Sequence, residues 1–260
     1  MKLTWATLAG LAVALILAGC QPQAAAVADE TPSTGAAEDE VAAPELSAEQ
    51  AEARAFQAAW DAAAPVTASD PRLNDEEDGR WPEPIPGQFE FRESELIQLS
   101  TDLFALVSSG HAQGGGQTTR GALAFHYLSR TTDGFRRVGA TPLFIAGGGA
   151  GQAPTFTVRR DLTPATAVVI HTRTQNGRGT CTVSQLVELT PSQPVLRATG
   201  IATGFEATNG QGNWEGALET GRSGRDFDVQ YSGASDAEAT WVFTDAGTYR
   251  APAQPRLSGC

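Results

Sequence analysis

Three histidines, His111, His126 and His171, are the whole imidazole supply of this chain. A zinc site needs three or four ligands in one tight shell, often at close local spacing. No two of these histidines lie within four residues of each other and no cysteine pair supports them, so no metal site is expected. Nucleophilic catalysis finds no better footing, because no Gly-x-Ser-x-Gly elbow is present. Asp226 and Asp228 alternate with Phe227 and Val229, which makes them the solvated face of one strand. The acid and base of a glycosidase usually come from separate elements. Gly147-Gly148-Gly149-Ala150-Gly151 lacks the Lys-Ser/Thr of a phosphate loop and is read as a turn. No catalytic residue and no cofactor is therefore assigned.

One pattern rises above this background. Three loops, at 113–120, 175–179 and 209–213, are rich in glycine and side-chain amides. They carry Gln113, then Gln175 and Asn176, then Asn209, Gln211 and Asn213, with Trp214 directly following. Amides beside an exposed aromatic ring hold an uncharged polar ligand such as a glycan by hydrogen bonding and stacking. Turn chemistry selects the same residues without any ligand.

The N-terminus supplies an address. One positive charge, Lys2, precedes an uncharged run of 13 residues, Ala6 to Ala18, and then Gly19-Cys20. A spanning helix needs roughly 20 apolar residues, so this run describes a secretory signal and not a membrane span. Its end, Leu17-Ala18-Gly19-Cys20, resembles the lipobox of bacterial lipoprotein precursors. That resemblance implies cleavage before Cys20, a diacylglycerol on its thiol and an acyl chain such as palmitate on the new amino group. Several chains anchor a protein stably to a membrane, whereas one is marginal. It also implies a cell-envelope location facing the periplasm. Gln21, where an Asp retains many such proteins at the inner membrane, points to the outer membrane. With Cys20 committed to lipid, Cys181 and Cys260 remain. In an oxidising compartment a remaining pair suggests one disulfide. The alternatives are a buried thiol at Cys181 and a free one at the C-terminus.

Charge separates this anchor from the rest of the chain. The net charge is −12. Residues 21–87 hold 15 acidic residues against Arg54, Arg72 and Arg80, while residues 88–260 are almost neutral. The body therefore has no basic field for nucleic acid. Residues 20–45, the lipidated cysteine and a stretch of Ala, Pro, Thr, Gly, Glu and Asp without an aromatic, cannot offset chain entropy by burial. They are expected to form a disordered tether with a reach of roughly 25–30 Å. At 46–64, Ser47 with Gln50 makes a capping-box pattern, and Ala53, Phe56, Trp60 and Ala63 recur at helical spacing. This short amphipathic helix either lies on its own domain or recruits another protein. Residues 65–87 read as an irregular acidic linker. Their Asn74-Asp75-Glu76-Glu77-Asp78-Gly79 run lacks the bidentate Glu of a calcium loop, since the twelfth position is Ile85.

Residues 88–260 show short β-branched and aromatic runs separated by Gly, Asp, Asn and Pro. Period-two alternation, as in Phe227, Val229 and Tyr231 or Trp241 and Phe243, predicts half-buried antiparallel strands. About twelve such runs make this an all-β domain, an antiparallel meander behind one short helix. Strand trios beginning at 105, 167 and 227, each behind one further strand at 89, 155 and 214, suggest three four-stranded units, propeller-like or prism-like. An evenly spaced meander produces the same rhythm without a repeat. The functional expectation is a non-catalytic envelope lipoprotein whose β domain binds a ligand, a glycan or another envelope protein. The alternative is an envelope hydrolase with a site assembled from distant loops.

Overall fold

The computed structural model describes residues 46–68, 88–114, 119–147, 149–234, 236–253 and 255–260, with backbone alone at 141–146. Residues Glu45–Cys260 form one compact unit. Cys20 and the tether lie outside the described residues.

The helix α1, Ala48–Trp60, begins where the capping box places it. The Ser47 hydroxyl accepts from the Gln50 N–H (3.2 Å), and the Gln50 side chain accepts from the Ser47 N–H (3.1 Å). Asp61, in the left-handed region at φ 57°, ends it. Its buried face is Ala55, Phe56 and Ala59. The expected stripe through Ala53 and Ala63 is thus rotated, because both of those side chains are exposed.

Among the described residues thirteen strands follow, paired antiparallel within two sheets. The first five are β1 (Val66–Ala68), β2 (Phe89–Gln98), β3 (Leu103–Ala112), β4 (Gly121–Thr131) and β5 (Gly134–Gly147), and they form one sheet in chain order. The second sheet holds β6 (Thr155–Arg159), β7 (Ala167–Asn176), β8 (Gly179–Leu189), β9 (Pro194–Ala207), β10 (Trp214–Thr220), β11 (Asp226–Gly233), β12 (Ala237–Phe243) and β13 (Tyr249–Arg250).

The twelve expected strands correspond to β2–β13, and the all-β reading with one short helix holds. Their grouping is corrected: there are two sheets, of five and eight strands, and not three four-stranded units. The second and third groups fuse because β9 continues into β10, pairing Phe205 with Trp214 and Gly204 with Glu215. The linker also contributes, since Val66–Ala68 pairs with Phe89–Phe91 as an additional edge strand.

The first sheet is buried on both faces, which is why β4 reads as an almost unbroken apolar run. On one face Phe89, Phe91, Phe104, Leu106 and Leu128 pack against Phe56 of the helix. On the other, Val107, Leu123 and Phe125 meet Val168, Ile170 and Val187 of the second sheet. Polar contacts fix the helix in place. Arg137 donates to the Ala59 carbonyl (2.7 Å), satisfying an orphan group of the last turn, and Arg54 donates to the Asp133 carbonyl (3.2 Å).

The eight-stranded sheet curls around a core of its own, including Leu186, Ile201, Trp214, Phe227 and Trp241. Its far ends meet, as the Tyr249 hydroxyl of β13 donates to the Leu162 carbonyl after β6 (3.1 Å). Arg159 of β6 donates to the Leu218 carbonyl of β10 (3.0 Å).

Candidate functional site: a cleft beside the disulfide

The β7–β8 turn forms because Asn176 folds its side chain over it. Its Oδ1 accepts from the N–H groups of Arg178 (2.8 Å) and Gly179 (3.0 Å), an Asx-type turn. The β9–β10 turn is built the same way. Asn209 Oδ1 accepts from the Gln211 N–H (3.0 Å), and Asn213 Oδ1 accepts from the Ala207 N–H (2.8 Å). Gly210 and Gly212, at φ 71° and 85°, adopt backbone that other residues resist. The Thr208 N–H donates to the Arg178 carbonyl (3.0 Å) and ties one turn to the other.

The C-terminal segment closes the third side. Cys260 is disulfide-bonded to Cys181 of β8, with Cα atoms 5.6 Å apart, as the cysteine count led one to expect. The Ser258 carbonyl accepts from the Trp214 indole N–H (2.8 Å), and the Gly259 carbonyl from Asn176 Nδ2 (3.1 Å). Gly259, at φ 99°, lies so close that a Cβ there would run into the Phe205 ring. Between the two turns and this segment opens a cleft of about 490 Å³, lined by Arg178, Phe205, Thr208, Asn209, Gln211 and Ser258 among others. That volume lies within the roughly 300–1,000 Å³ usual for ligand pockets. Arg178 is exposed at its edge and has no ion-pair partner among the described residues.

No protein-family model, curated protein or solved structure matches this chain.

Two of the three amide-rich loops come together, at 177–178 and 208–212. The third does not join them in the cleft. Gln113 sits on the first sheet and donates to Thr67 (3.3 Å) and Glu90 (3.4 Å). Residues 115–118 of its loop lie outside the described residues. Gln175 is exposed beside the cleft without lining it.

Trp214 requires a correction. Expected to be exposed as a stacking platform, it is 1% exposed and packed between Phe205 and Tyr231 (ring centroids 6.5 and 5.7 Å). It heads a strand whose inner face meets the core, and its N–H is already used by Ser258. Asn176, Asn209 and Asn213 likewise hold their own turns. Gln211 and Arg178 are the long polar side chains left to face a ligand.

Other candidates resolve differently. His171 and Ser184 are cross-strand partners, with Nδ1 2.7 Å from the serine hydroxyl, which in turn lies 2.7 Å from the Thr203 hydroxyl. Sequence reasoning missed this pair because thirteen residues and a hairpin separate its members. Ser184 is fully buried and no described carboxylate bonds His171, so the pair cannot receive a substrate and holds β7, β8 and β9 together. Burial lowers the pKa of His171.

His126 is 1% exposed, with the Trp60 ring edge-on at 4.4 Å and no partner for Nδ1. Burial, with the nearby Arg137 charge, lowers its pKa to about 4. His111 accepts from the Ala153 N–H (3.4 Å). Among the described residues no group of three or more His, Cys, Asp or Glu could hold a metal ion. Asp226 is also not the freely solvated carboxylate expected. It bonds the Arg222 guanidinium and backbone N–H, which hold its pKa below the usual carboxylate range.

Proposed function

We propose that this chain is a cell-envelope lipoprotein, anchored through Cys20, whose β domain binds a polar envelope ligand without catalysis. The cleft beside the disulfide is the proposed binding site. The observation that carries this reading is the Cys181–Cys260 bond, which fastens the C-terminal segment that forms one side of the cleft. Disulfides persist in oxidising compartments, which agrees with the export signal and lipobox at the N-terminus.

Loops carried on a rigid sheet are common binding positions. Here the two turns are fixed by their own asparagines and by the crosslinked C-terminus, so the cleft wall is pre-organised. Recognition falls to hydrogen bonding from Gln211, Thr208 and Arg178, since Phe205 is 6% exposed and offers no open ring. This favours a hydroxyl-rich ligand carrying acceptors, such as an envelope glycan. Calorimetric titration of the full chain in detergent with soluble peptidoglycan fragments tests it. Arg178→Ala and Gln211→Ala should each weaken binding several-fold and leave the melting temperature unchanged. Absence of heat with the wild-type chain, or binding indifferent to both substitutions, removes the cleft from the proposal.

A further inference from the structure

A second opening lies elsewhere in the same sheet, at the seam between β9 and β13. β9 runs for 14 residues but pairs with β10 only through Gly204 and Phe205. Its N-terminal part pairs with β8 on one side and with no strand on the other. β13 is an edge of the same sheet, and it covers only Val242 and Phe243 of β12. These two incomplete edges face each other across a groove of about 410 Å³.

The lining shows what kind of groove it is. Residues 196–199 line one side and residues 248–251 the other, with Trp241 between. Residues 196–199 belong to the part of β9 that pairs with β8 and not with β10, so this edge of β9 lacks a strand partner among the described residues. Unpaired strand backbone is a template for another strand. Apolar surface gathers here as well. Four large apolar side chains stand exposed among the described residues, and two of them, Leu196 and Phe243, lie at or beside this groove, at 38% and 39%. Leu196 lines the groove, Val242 pairs with Arg250, and Phe243 lies under the Arg197 guanidinium (5.8 Å).

Charge is set by two arginines. Arg197 is neutralised by the buried Glu188 (2.6 Å) and reaches the Gly247 carbonyl (2.8 Å), which closes one end. Arg250 is exposed, with no ion-pair partner among the described residues. The groove thus offers main-chain donors and acceptors, flanking apolar contacts and one unmatched positive charge.

We propose that this seam binds an extended segment of a partner polypeptide as an added β-strand, with alternate apolar residues and an acidic residue opposite Arg250. Main-chain bonds supply affinity and the alternating side chains supply specificity, the physical basis of strand addition. This site is separate from the disulfide-side cleft and does not depend on it.

The test uses the full chain in detergent and a labelled short peptide alternating valine and threonine with a terminal glutamate. Fluorescence anisotropy should show saturable binding, and hydrogen exchange should slow at residues 196–199 and 249–251. Leu196→Asp should weaken binding about tenfold or more, the scale expected for an anchor contact. Arg250→Glu should weaken the glutamate peptide and strengthen its lysine counterpart. Protection at 208–212 instead, equal binding by Leu196→Asp, or no saturation overturns the proposal. So does seam protection present without peptide and lost on deleting residues 21–45, which would make the acidic N-terminal segment the occupant.

Discussion

Trp214 shows how far a residue's neighbours in sequence mislead about its neighbours in space. Preceded by Asn209, Gln211 and Asn213, it reads as part of an exposed polar loop, but one residue later the strand has begun and its first side chain points inward. Its ring lies within the second sheet's core and its N–H holds the C-terminal segment. Trp214→Ala should therefore lower stability by about 3–5 kcal/mol, as large-to-small core changes do. Denaturant unfolding measures this, and a change below about 1 kcal/mol would return Trp214 to the surface. His126 makes a prediction of a different kind. Its folded pKa, lowered to about 4, lies beneath the ordinary value of 6.5. The unfolded chain then binds the proton more readily, so stability is fully present above pH 6.5 and is lost as pH falls toward 4. At about 1.4 kcal/mol per unit the loss approaches 3 kcal/mol. His171, lowered by burial, adds in the same direction. The depressed carboxylate of Asp226 acts at lower pH, while Glu95, raised by burial and the Glu52 charge, acts within this window in the opposite direction and is common to wild type and variant. Unfolding free energies between pH 6.5 and 4 should fall steeply for the wild type and less steeply for His126→Leu. Equal slopes would show that His126 protonates freely in the folded state.

At the scale of elements, much of the architecture was legible and its assembly was not. Apolar runs between turn residues locate β2–β13, with clean alternation where one face meets a core, as in β11, and Ser47 with Gln50 locates the start of α1. Alternation says which side chains turn inward, but not what covers them. Leu106 and Val107 both lie fully buried on opposite faces of β3, one toward the helix and one toward the second sheet. Nothing local distinguishes those two coverings, so the division into five and eight strands could not be read. For the same reason the helix stripe read from spacing lies one step out of phase, its true face being set by the phenylalanines of the sheet beneath. The amide loops are recognisable as loops, yet their role in closing turns comes only with the hydrogen bonds. The cysteine pairing was legible because so few partners existed. That crosslink spans 79 residues and fastens a segment with only two backbone carbonyls, at 258 and 259, held by side chains. On a chain-entropy account it stabilises by about 4.5 kcal/mol at most. Soluble chain beginning at Gln21 should show no free thiol before reduction and should melt lower after it. Two thiols that react under native, non-reducing conditions, or an unchanged melting curve, would contradict the bond.

Across the whole molecule, net charge is unevenly distributed along the chain. Residues 88–260 carry almost no net charge, while the acidic residues concentrate before them. Among the described residues no helix is long and apolar enough to cross a membrane. Helix α1 belongs to the same compact unit as the strands, since its apolar face is taken up by the first sheet. Both openings proposed as binding sites lie on the second sheet, whose strands the helix does not cover. On the proposed lipoprotein reading, the Cys20 thiol is the chemical point on which location depends. Substitution of Cys20 by Ser keeps the size of the side chain and removes the sulfur that accepts the diacylglycerol. The lipoprotein peptidase acts after that transfer, so Cys20→Ser should accumulate as an uncleaved, unacylated precursor. Metabolic labelling with a clickable fatty acid should mark the wild-type chain and leave the variant blank. The variant should run larger on a gel by the mass of its retained signal. Equal labelling of the two chains, or cleavage of both at the same bond, would place the attachment elsewhere and leave the β domain without its address.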